Sequence, residues 1–234
     1  MKTAPFYVIG NWKSNKTIEE AVIWVQDFTS YWKKQPYNPQ LVKVILCAGY
    51  THLTTFASLI QLSNLPLELG AQDVSPYPSG TYTGAISAVM LKGLVRYVLI
   101  GHSERRKHFR ETEEELHNKV EQAKAQQIKP IYCVQNDKIP IPESVSLVGY
   151  EPSWAISGGD PYATKPETPE NANNVADSIK RTTKQTLRLI YGGSTTPENV
   201  VSYRNQQNID GVLPGGTSLK ADTFYNLILN ASSV

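Results

Sequence analysis

Cysteine is scarce in this chain, and long hydrophobic runs and an excess of charge of one sign are lacking. The 234 residues include two cysteines, Cys47 and Cys133, each inside a strand-like apolar run. They do not form the spacing pattern of a secreted disulfide framework, so a reducing compartment is expected. No apolar run approaches the ~20 residues of a membrane-spanning helix. The N-terminal residues lack the basic-then-apolar pattern of a signal peptide, and together these absences predict a cytoplasmic protein.

The charge balance excludes some classes of partner. The net charge is +2 and the basic residues are scattered, so neither a nucleic-acid surface nor a membrane surface is expected. No cluster with the spacing of metal ligands is visible, and no metal is expected. No linker or low-complexity run divides the chain, so residues 1–234 are expected to form a single domain with one large core.

Eight short apolar runs alternate with longer helix-like stretches. Their near-continuous hydrophobicity is typical of parallel strands that are covered on both faces. Strands alternating with helices predict βαβ units, and eight such strands in one domain predict a (β/α)8 TIM barrel, an α/β fold. The predicted strands are Phe6–Gly10, Val42–Ala48, Leu67–Ala71, Val95–Ile100, Lys129–Val134, Val145–Tyr150, Leu187–Tyr191 and Ile209–Leu213.

The helical stretches are uneven. Thr17–Lys33 has apolar residues at helical spacing, and Thr17 with Glu20 three residues later forms a capping box. The fifth crossover, by contrast, consists of the ten residues QNDKIPIPES, in which Pro140 and Pro142 forbid a continuous helix. We therefore predict a barrel whose helix between strands five and six is missing. The outer faces of these two strands are expected to be less covered than those of their neighbours.

Three predicted strands end in polar residues whose chemistry suits catalysis. After the first strand come Asn11 and Lys13, which in an extended chain point the same way, toward the mouth of the barrel. After the fourth come Gly101 and then His102, at the start of a helical pattern whose N–H groups favour a neutral imidazole that donates a hydrogen bond. The sixth strand delivers Glu151. Active sites of such barrels lie at these C-terminal strand ends.

The last two strands end in glycine pairs. Gly192 and Gly193 precede Ser194, and Gly215 and Gly216 follow the eighth strand. Glycine lets backbone N–H groups approach an anion closely, and the loops after strands seven and eight are a common phosphate site in barrels. Each feature also has a structural explanation: a capping histidine, a lysine that reaches solvent, a carboxylate in an ion pair, a tight turn.

Six segments in the same order resemble the triosephosphate isomerase family. The resemblance runs from one end of the chain to the other. The segments are NWKSN at 11–15, GAQDVSPYPSGTYTG at 70–84, GHSERR at 101–106, GYEPSWAI at 149–156, YGGS at 191–194 and DGVLPGGTSL at 210–219.

The resemblance implies a role for each polar residue at the strand ends. Glu151 matches the family's catalytic base, and His102 matches the neutral electrophile that polarises the substrate carbonyl. Lys13 matches the cation that stabilises the enediolate, and Asn11 matches a ligand of a substrate oxygen. Glu104 matches the carboxylate that anchors the surroundings of Lys13. The implied reaction interconverts dihydroxyacetone phosphate and D-glyceraldehyde 3-phosphate without a cofactor.

The resemblance also implies a phosphate grip, a lid and an assembly. Ser157, Ser194, Gly215 and Gly216 match positions whose backbone amides hold the phosphate, and residues 152–159 match a closing lid. The Pro-, Gly- and Tyr-rich segment 73–84 resembles the loop that inserts into a neighbouring subunit. A homodimer is therefore expected, although an ordinary surface loop would have the same composition. Incompletely covered strands near residues 129–150 would leave room for a higher oligomer.

The chain departs from the family at its interface and beside the base. Ala85 stands where the family usually has Glu, a partner across the dimer for the arginine matched by Arg105, so Arg105 is expected to be unpaired or to have another partner. The family usually has Gly-Glu after its buried cysteine, whereas Cys133 is followed by Val134, Gln135 and Asn136. The local carboxylate is missing there.

The lid departs from the family as well. Ser153 replaces the usual Val, and residues 157–160 read SGGD in place of Gly-Thr-Gly-Lys. These changes motivate two alternatives to an active isomerase of three-carbon sugar phosphates. One is a non-catalytic phosphate-binding barrel protein, and the other is a barrel enzyme acting on a different phosphate ester, such as a phosphoribosyl compound. The glycine pairs fit all three, but the combination of Lys13, His102 and Glu151 favours the isomerase.

Overall fold

The structure is a computed structural model that describes residues 4–155, 167–183 and 185–233. Eight parallel strands close into a barrel in sequence order, with β1 pairing with both β2 and β8. The TIM-barrel fold predicted from the sequence is confirmed. The strands are β1 Phe6–Asn11, β2 Val42–Ala48, β3 Leu67–Ala71, β4 Tyr97–Ile100, β5 Lys129–Val134, β6 Leu147–Tyr150, β7 Arg188–Tyr191 and β8 Gly211–Val212.

Helices follow most of the strands and pack around the barrel. In the first of them the predicted capping box is confirmed: the Thr17 hydroxyl accepts from the backbone of Glu20, whose carboxylate accepts from the backbone of Thr17. The α-helices in the described part of the chain are α1 Ile18–Lys34, α2 Tyr50–Leu62, α3 Ala88–Leu91, α4 Glu113–Ala125, α5 Pro169–Thr182, α6 Val200–Arg204 and α7 Ala221–Ser232. A π-helical turn, Arg105–Phe109, precedes α4, and short 3-10 turns lie at Ser153–Ala155 and Gly216–Leu219.

The core consists of two layers separated by the barrel wall. Side chains that alternate along the strands point either inward, where Ile45, Leu99 and Ile131 help to fill the barrel, or outward against the helices. Both cysteines are free and buried in the inner layer. The filled interior makes the barrel a rigid frame that holds the strand ends at fixed positions.

The fifth crossover contains no helix, as predicted. Residues 135–146, all of which the structure describes, form turns and extended chain between β5 and β6. The expectation that these strands would be less covered than their neighbours is wrong, because β6 is buried throughout and so is β5 after Lys129, as in the adjacent strands β4 and β7. Ile139 and Ile141 pack against the outer core, and Gln185 donates a hydrogen bond to the Pro142 carbonyl. The loop therefore covers the wall without a helix.

Within residues 4–155, 167–183 and 185–233, no helix is both long and apolar enough to cross a membrane.

Candidate active site

A polar pocket opens at the C-terminal ends of the strands. Its described lining includes Asn11 at the end of β1, Lys13 shortly after it, His102 after β4, and the glycine-rich loops after β7 and β8. Parallel strands bring these segments together although they are far apart in sequence, because all of their C-terminal ends meet at one face of the barrel. The structure thus brings most of the predicted site residues to one pocket.

Asn11 and Lys13 share the pocket, but for a different reason than the predicted one. Strand β1 ends at Asn11, and Lys13 has a backbone φ of 53°, in the left-handed region rather than the extended one. The Asn11 side chain accepts a hydrogen bond from the backbone N–H of Lys13 at 3.0 Å, which supports this turn. A non-glycine residue in this region costs free energy, of the order of 1 kcal/mol or more, and such residues cluster at functional sites.

The ammonium group of Lys13 is fixed by an ion pair. Its Nζ atom lies 2.6 Å from Oε1 of Glu104, and the lysine side chain is 18% exposed. Gly215 lies against the same side chain, because a Cβ atom at that position would be 3.3 Å from Cε of Lys13. The cation is therefore held at the pocket wall with part of its charge offset by Glu104.

The hydrogen bonds of His102 determine its tautomer. Nδ1 accepts a hydrogen bond from the backbone N–H of Glu104 at 3.2 Å, so the neutral ring carries its proton on Nε2. Nε2 lies 3.2 Å from Oε1 of Glu151, an atom that has no hydrogen-bond partner among the described residues. The ring is placed to donate a hydrogen bond to an oxygen, as an electrophilic catalyst must.

Glu151 is buried and turned away from the pocket. Its side chain is 1% exposed, and it is not among the described residues that line the pocket. Oε2 accepts a hydrogen bond from the backbone N–H of Ser103 at 2.8 Å and a longer one from Nε2 of Gln135 at 3.4 Å. The carboxylate contacts the His102 ring but does not line the pocket in this structure.

The Cys133 thiol lies beside this carboxylate. Burial is the main cause that raises the pKa of Cys133 well above its usual value, and the negative charge of Glu151 adds to the effect. The thiol therefore stays protonated and acts as apolar filling of the barrel rather than as a nucleophile.

The glycine pair after β7 leaves room for neighbouring side chains. A Cβ atom at Gly192 would lie 2.7 Å from Cγ of Glu151, and one at Gly193 would lie 2.2 Å from the Tyr191 hydroxyl. The sequence analysis gave these glycines two readings, an anion-binding role and a tight turn. The structure adds a packing reason for the absence of side chains at both positions.

The predicted phosphate ligands are only partly described. Gly215 and Gly216 line the pocket together with Ser194. The backbone N–H and the hydroxyl of Ser194 both donate to the carbonyl of Ala155, at 3.0 and 3.2 Å. Ser157 lies outside the described residues, as does the predicted lid beyond Ala155. The serine after β7 is therefore linked directly to the last described residue of the lid segment.

Arg105 has acquired partners within its own chain. It forms ion pairs with Asp73, at 2.9 Å, and with Glu111, and both carboxylates also contact Lys119. Of the two expectations for Arg105, the alternative partner is the one observed. Lys119 has a side-chain exposure of 3%, and it shares the two carboxylates with Arg105. The sequence analysis did not identify this cluster, because its members come from three separate segments.

Among the described residues, no group of three or more His, Cys, Asp or Glu side chains is placed to hold a metal ion.

A sequence model of the triosephosphate isomerase family matches the chain over residues 6–140 and 141–231. The triosephosphate isomerase of Alkaliphilus metalliredigens is 35% identical over 253 residues, covering 94% of this chain and 97% of the relative. That of Mesomycoplasma hyorhinis is 35% identical, with 94% and 96% covered. That of Roseiflexus castenholzii is 36% identical, with 94% of each chain covered.

These matches also locate a difference. The alignment with the Alkaliphilus metalliredigens protein spans 253 positions, more than the 234 residues of this chain, so it contains gaps on this side. The family match breaks between residues 140 and 141, inside the loop that connects β5 and β6 without a helix. The two parts of the family match together cover residues 6–231 and meet inside this connection.

Proposed function

The chain belongs to the triosephosphate isomerase family, and on that premise we propose that it interconverts dihydroxyacetone phosphate and D-glyceraldehyde 3-phosphate through an enediolate. In this proposal Glu151 is the base and His102 is the electrophile. The observation that carries it is the 3.2 Å contact between Oε1 of Glu151 and Nε2 of His102 at the mouth of the barrel.

Proton transfer by Glu151 starts the reaction. Its carboxylate removes a proton from the hydroxymethyl carbon of dihydroxyacetone phosphate, and the C–H electron pair forms the double bond to the former carbonyl carbon. Nε2–H of His102 hydrogen-bonds to the carbonyl oxygen and protonates it as negative charge develops. The ring then takes a proton from the other oxygen, and Glu151 returns its proton to the neighbouring carbon. Aldehyde and alcohol have then exchanged places with no net change in protons.

Lys13 and Asn11 stabilise the charged intermediate. The ammonium group of Lys13 lies at the pocket wall, where a cation lowers the energy of an enediolate and offsets the charge of the phosphate. Glu104 contacts Lys13 at 2.6 Å and acts as a positioning residue for it. The Asn11 side chain supports the Lys13 turn and lines the same pocket.

We assign the phosphate to the glycine-rich loops after β7 and β8. The backbone N–H groups of Ser194, Gly215 and Gly216 are the proposed ligands, together with that of Ser157, and residues 152–159 form the proposed lid. Because the N–H of Ser194 donates to the Ala155 carbonyl, binding phosphate there requires this hydrogen bond to break. Phosphate binding and movement of the lid are thereby coupled, and lid closure would exclude water from the enediolate.

The assembly is also part of the proposal. Residues 73–84 carry two stacked and partly exposed tyrosines, Tyr77 and Tyr82, whose ring centroids are 4.5 Å apart. Such a rigid aromatic tip suits insertion into a second copy of the chain, and we propose a homodimer of single-domain barrels. A place in glycolysis and gluconeogenesis in the cytoplasm agrees with the substrate and with two free thiols.

The direct test is a coupled isomerase assay in both directions. Wild type is expected to convert either triose phosphate into the other, and Glu151→Gln is expected to lose roughly a thousandfold in kcat while keeping its circular dichroism spectrum. Glutamine still accepts the Ser103 hydrogen bond, so the fold is preserved. A wild-type protein that binds phosphate but does not isomerise would instead indicate the non-catalytic barrel, and turnover of Glu151→Gln at the wild-type rate would remove Glu151 as the base.

A further inference from the structure

We propose that Gln135 is a positioning residue that holds the Glu151 carboxylate out of the pocket and sets the free-energy cost of bringing it in. The proposal rests on the assignment of Glu151 as the base. It begins from a contact: Nε2 of Gln135 lies 3.4 Å from Oε2 of Glu151.

The turned-away position of Glu151 is held through one of its oxygens. Oε2 accepts hydrogen bonds from the Ser103 N–H and the Gln135 amide. Oε1 lies 3.2 Å from Nε2 of His102 but has no hydrogen-bond partner among the described residues. Any residue at position 103 supplies the backbone N–H, so Gln135 is the donor to Oε2 that a change of side chain removes.

Gln135 lies in the connection between β5 and β6. It is half-buried and directly follows the end of β5, at the start of the connection that contains no helix. It is the second residue after Cys133, whose thiol lies beside Glu151, so this connection places an amide next to the base.

Substrate binding must break this arrangement. A ligand oxygen that accepts from Nε2 of His102 takes the place of Oε1 of Glu151, and proton abstraction requires the carboxylate to enter the pocket that it does not now line. A hydrogen bond that forms only in the turned-away state stabilises that state. It therefore lowers the fraction of molecules whose carboxylate is in the pocket, and the apparent ligand affinity falls in proportion to that fraction. Because the contact is long, at 3.4 Å, its loss is expected to tighten binding on the order of threefold, near the low end for a typical protein hydrogen bond.

The test measures the binding of two ligands to the whole protein. The variant is Gln135→Met, which keeps the length of the side chain and removes the amide, and the probe is 2-phosphoglycolate, whose carboxylate oxygens reach His102 while its phosphate occupies the glycine loops. Titration calorimetry is expected to give about threefold tighter binding than in wild type. Inorganic phosphate, which does not reach His102, is expected to bind equally to both proteins.

In the isomerase assay KM is expected to fall by a similar factor with kcat unchanged, because the substrate complex already has Glu151 in the pocket.

Two controls separate positioning from a structural effect. Gln61→Leu makes a similar change at an exposed glutamine in α2 and is expected to match wild type. In a Glu151→Ala background Gln135→Met is expected to have no effect on 2-phosphoglycolate affinity, because the coupled group is gone. Gln135→Leu provides the same readings if the methionine variant does not fold.

Unchanged or weaker 2-phosphoglycolate binding by Gln135→Met would overturn the proposal, as would an equal gain in the Glu151→Ala background or a fall in kcat. These outcomes are distinct from failure of the proposed function. A wild-type protein that binds 2-phosphoglycolate but does not isomerise triose phosphates would refute the isomerase while the calorimetric comparison of Gln135 would still hold. A wild-type protein that does not bind 2-phosphoglycolate would refute both.

Discussion

Nε2 of His102 and Oε1 of Glu151 lie 3.2 Å apart across the C-terminal ends of β4 and β6. The proposed electrophile and the proposed base thus contact each other, and a substrate carbonyl has to come between them. The two proposed roles depend on each other, because Nε2 of His102 can donate a hydrogen bond to a substrate oxygen only after the Glu151 carboxylate has moved away from it. Movement of the base into the pocket is therefore part of substrate binding.

Replacing His102 is expected to impair the chemical step. His102→Gln keeps an N–H donor but cannot exchange protons between the two substrate oxygens, so kcat is expected to fall by roughly a hundred- to a thousandfold. Steady-state kinetics in the coupled assay measure the effect. His108→Gln, at an exposed position in the π-helical turn, is the matched control and should behave as wild type. Equal losses in both variants would show that the effect does not come from the site.

Replacing Lys119 is expected to destabilise the fold. Lys119→Met removes one of the two cations that Asp73 and Glu111 share and leaves Arg105 as the other, which costs about 1.5–3 kcal/mol of unfolding free energy. Urea denaturation measures the difference. Lys124→Met removes an exposed lysine from the same helix and is expected to change stability by less than about 1 kcal/mol. If both variants unfold at the wild-type midpoint, the buried cluster does not stabilise the barrel.

Glu167 is expected to make stability depend on pH. Burial is the main cause that raises the pKa of this carboxyl above its usual value of 4.5, while hydrogen bonds from Tyr150 and Asn171 oppose the shift. The folded state therefore binds the proton more tightly than the unfolded state. The stabilising contribution of that proton is complete below the unfolded pKa and is lost as pH rises through the folded pKa.

The prediction for Glu167 is tested with a variant that cannot titrate. Glu167→Gln keeps a neutral side chain at all pH values, so its stability relative to wild type is expected to increase as pH rises from about 4 through the raised pKa and then to level off. Urea unfolding at a series of pH values gives this difference. A difference that stays flat, or that declines with rising pH, would contradict the raised pKa.

The stacked tyrosines provide a test of the dimer. Tyr77→Asp adds a charge to the exposed tip of the segment 73–84 and disrupts the stack with Tyr82, so it is expected to shift the protein toward monomer. Sedimentation velocity over a range of concentrations reports the change. Leu62→Asp makes a similar change at a residue that is 84% exposed at the end of α2, and it is expected to sediment as wild type does. A monomeric wild type would refute the proposed assembly.

Much of the fold could be predicted because local sequence determines it. Continuous apolar runs give parallel strands, and Thr17 with Glu20 gives a capping box that the structure confirms. Pro140 and Pro142 exclude a crossover helix by their own geometry. Sequence periodicity does not reveal that Ile139 and Ile141 cover the strands in place of a helix. Apolar residues next to these prolines follow neither a helical nor a strand period, so their buried side cannot be predicted.

The sequence predicts which residues form the site but not how they are arranged. Asn11, Lys13 and His102 follow strands whose ends must meet, so the topology brings them together. The left-handed backbone of Lys13 and the turned-away carboxylate of Glu151 depend on contacts between distant segments. Sequence periodicity does not carry this information. Gln135 was noted as a departure from the family, but its contact with Glu151 is visible only in three dimensions.

The central claim, that Glu151 moves a proton between two carbons of the substrate, is tested most directly by isomerisation in D2O followed by proton NMR. A carboxyl that has taken the proton exchanges with solvent before returning it, so D-glyceraldehyde 3-phosphate formed from dihydroxyacetone phosphate is expected to carry deuterium at carbon 2 in part of the molecules. Glu151→Gln is expected to form this product at roughly a thousandth of the rate. Failure of the wild-type protein to form D-glyceraldehyde 3-phosphate, or formation of labelled product by Glu151→Gln as fast as by wild type, would contradict the account.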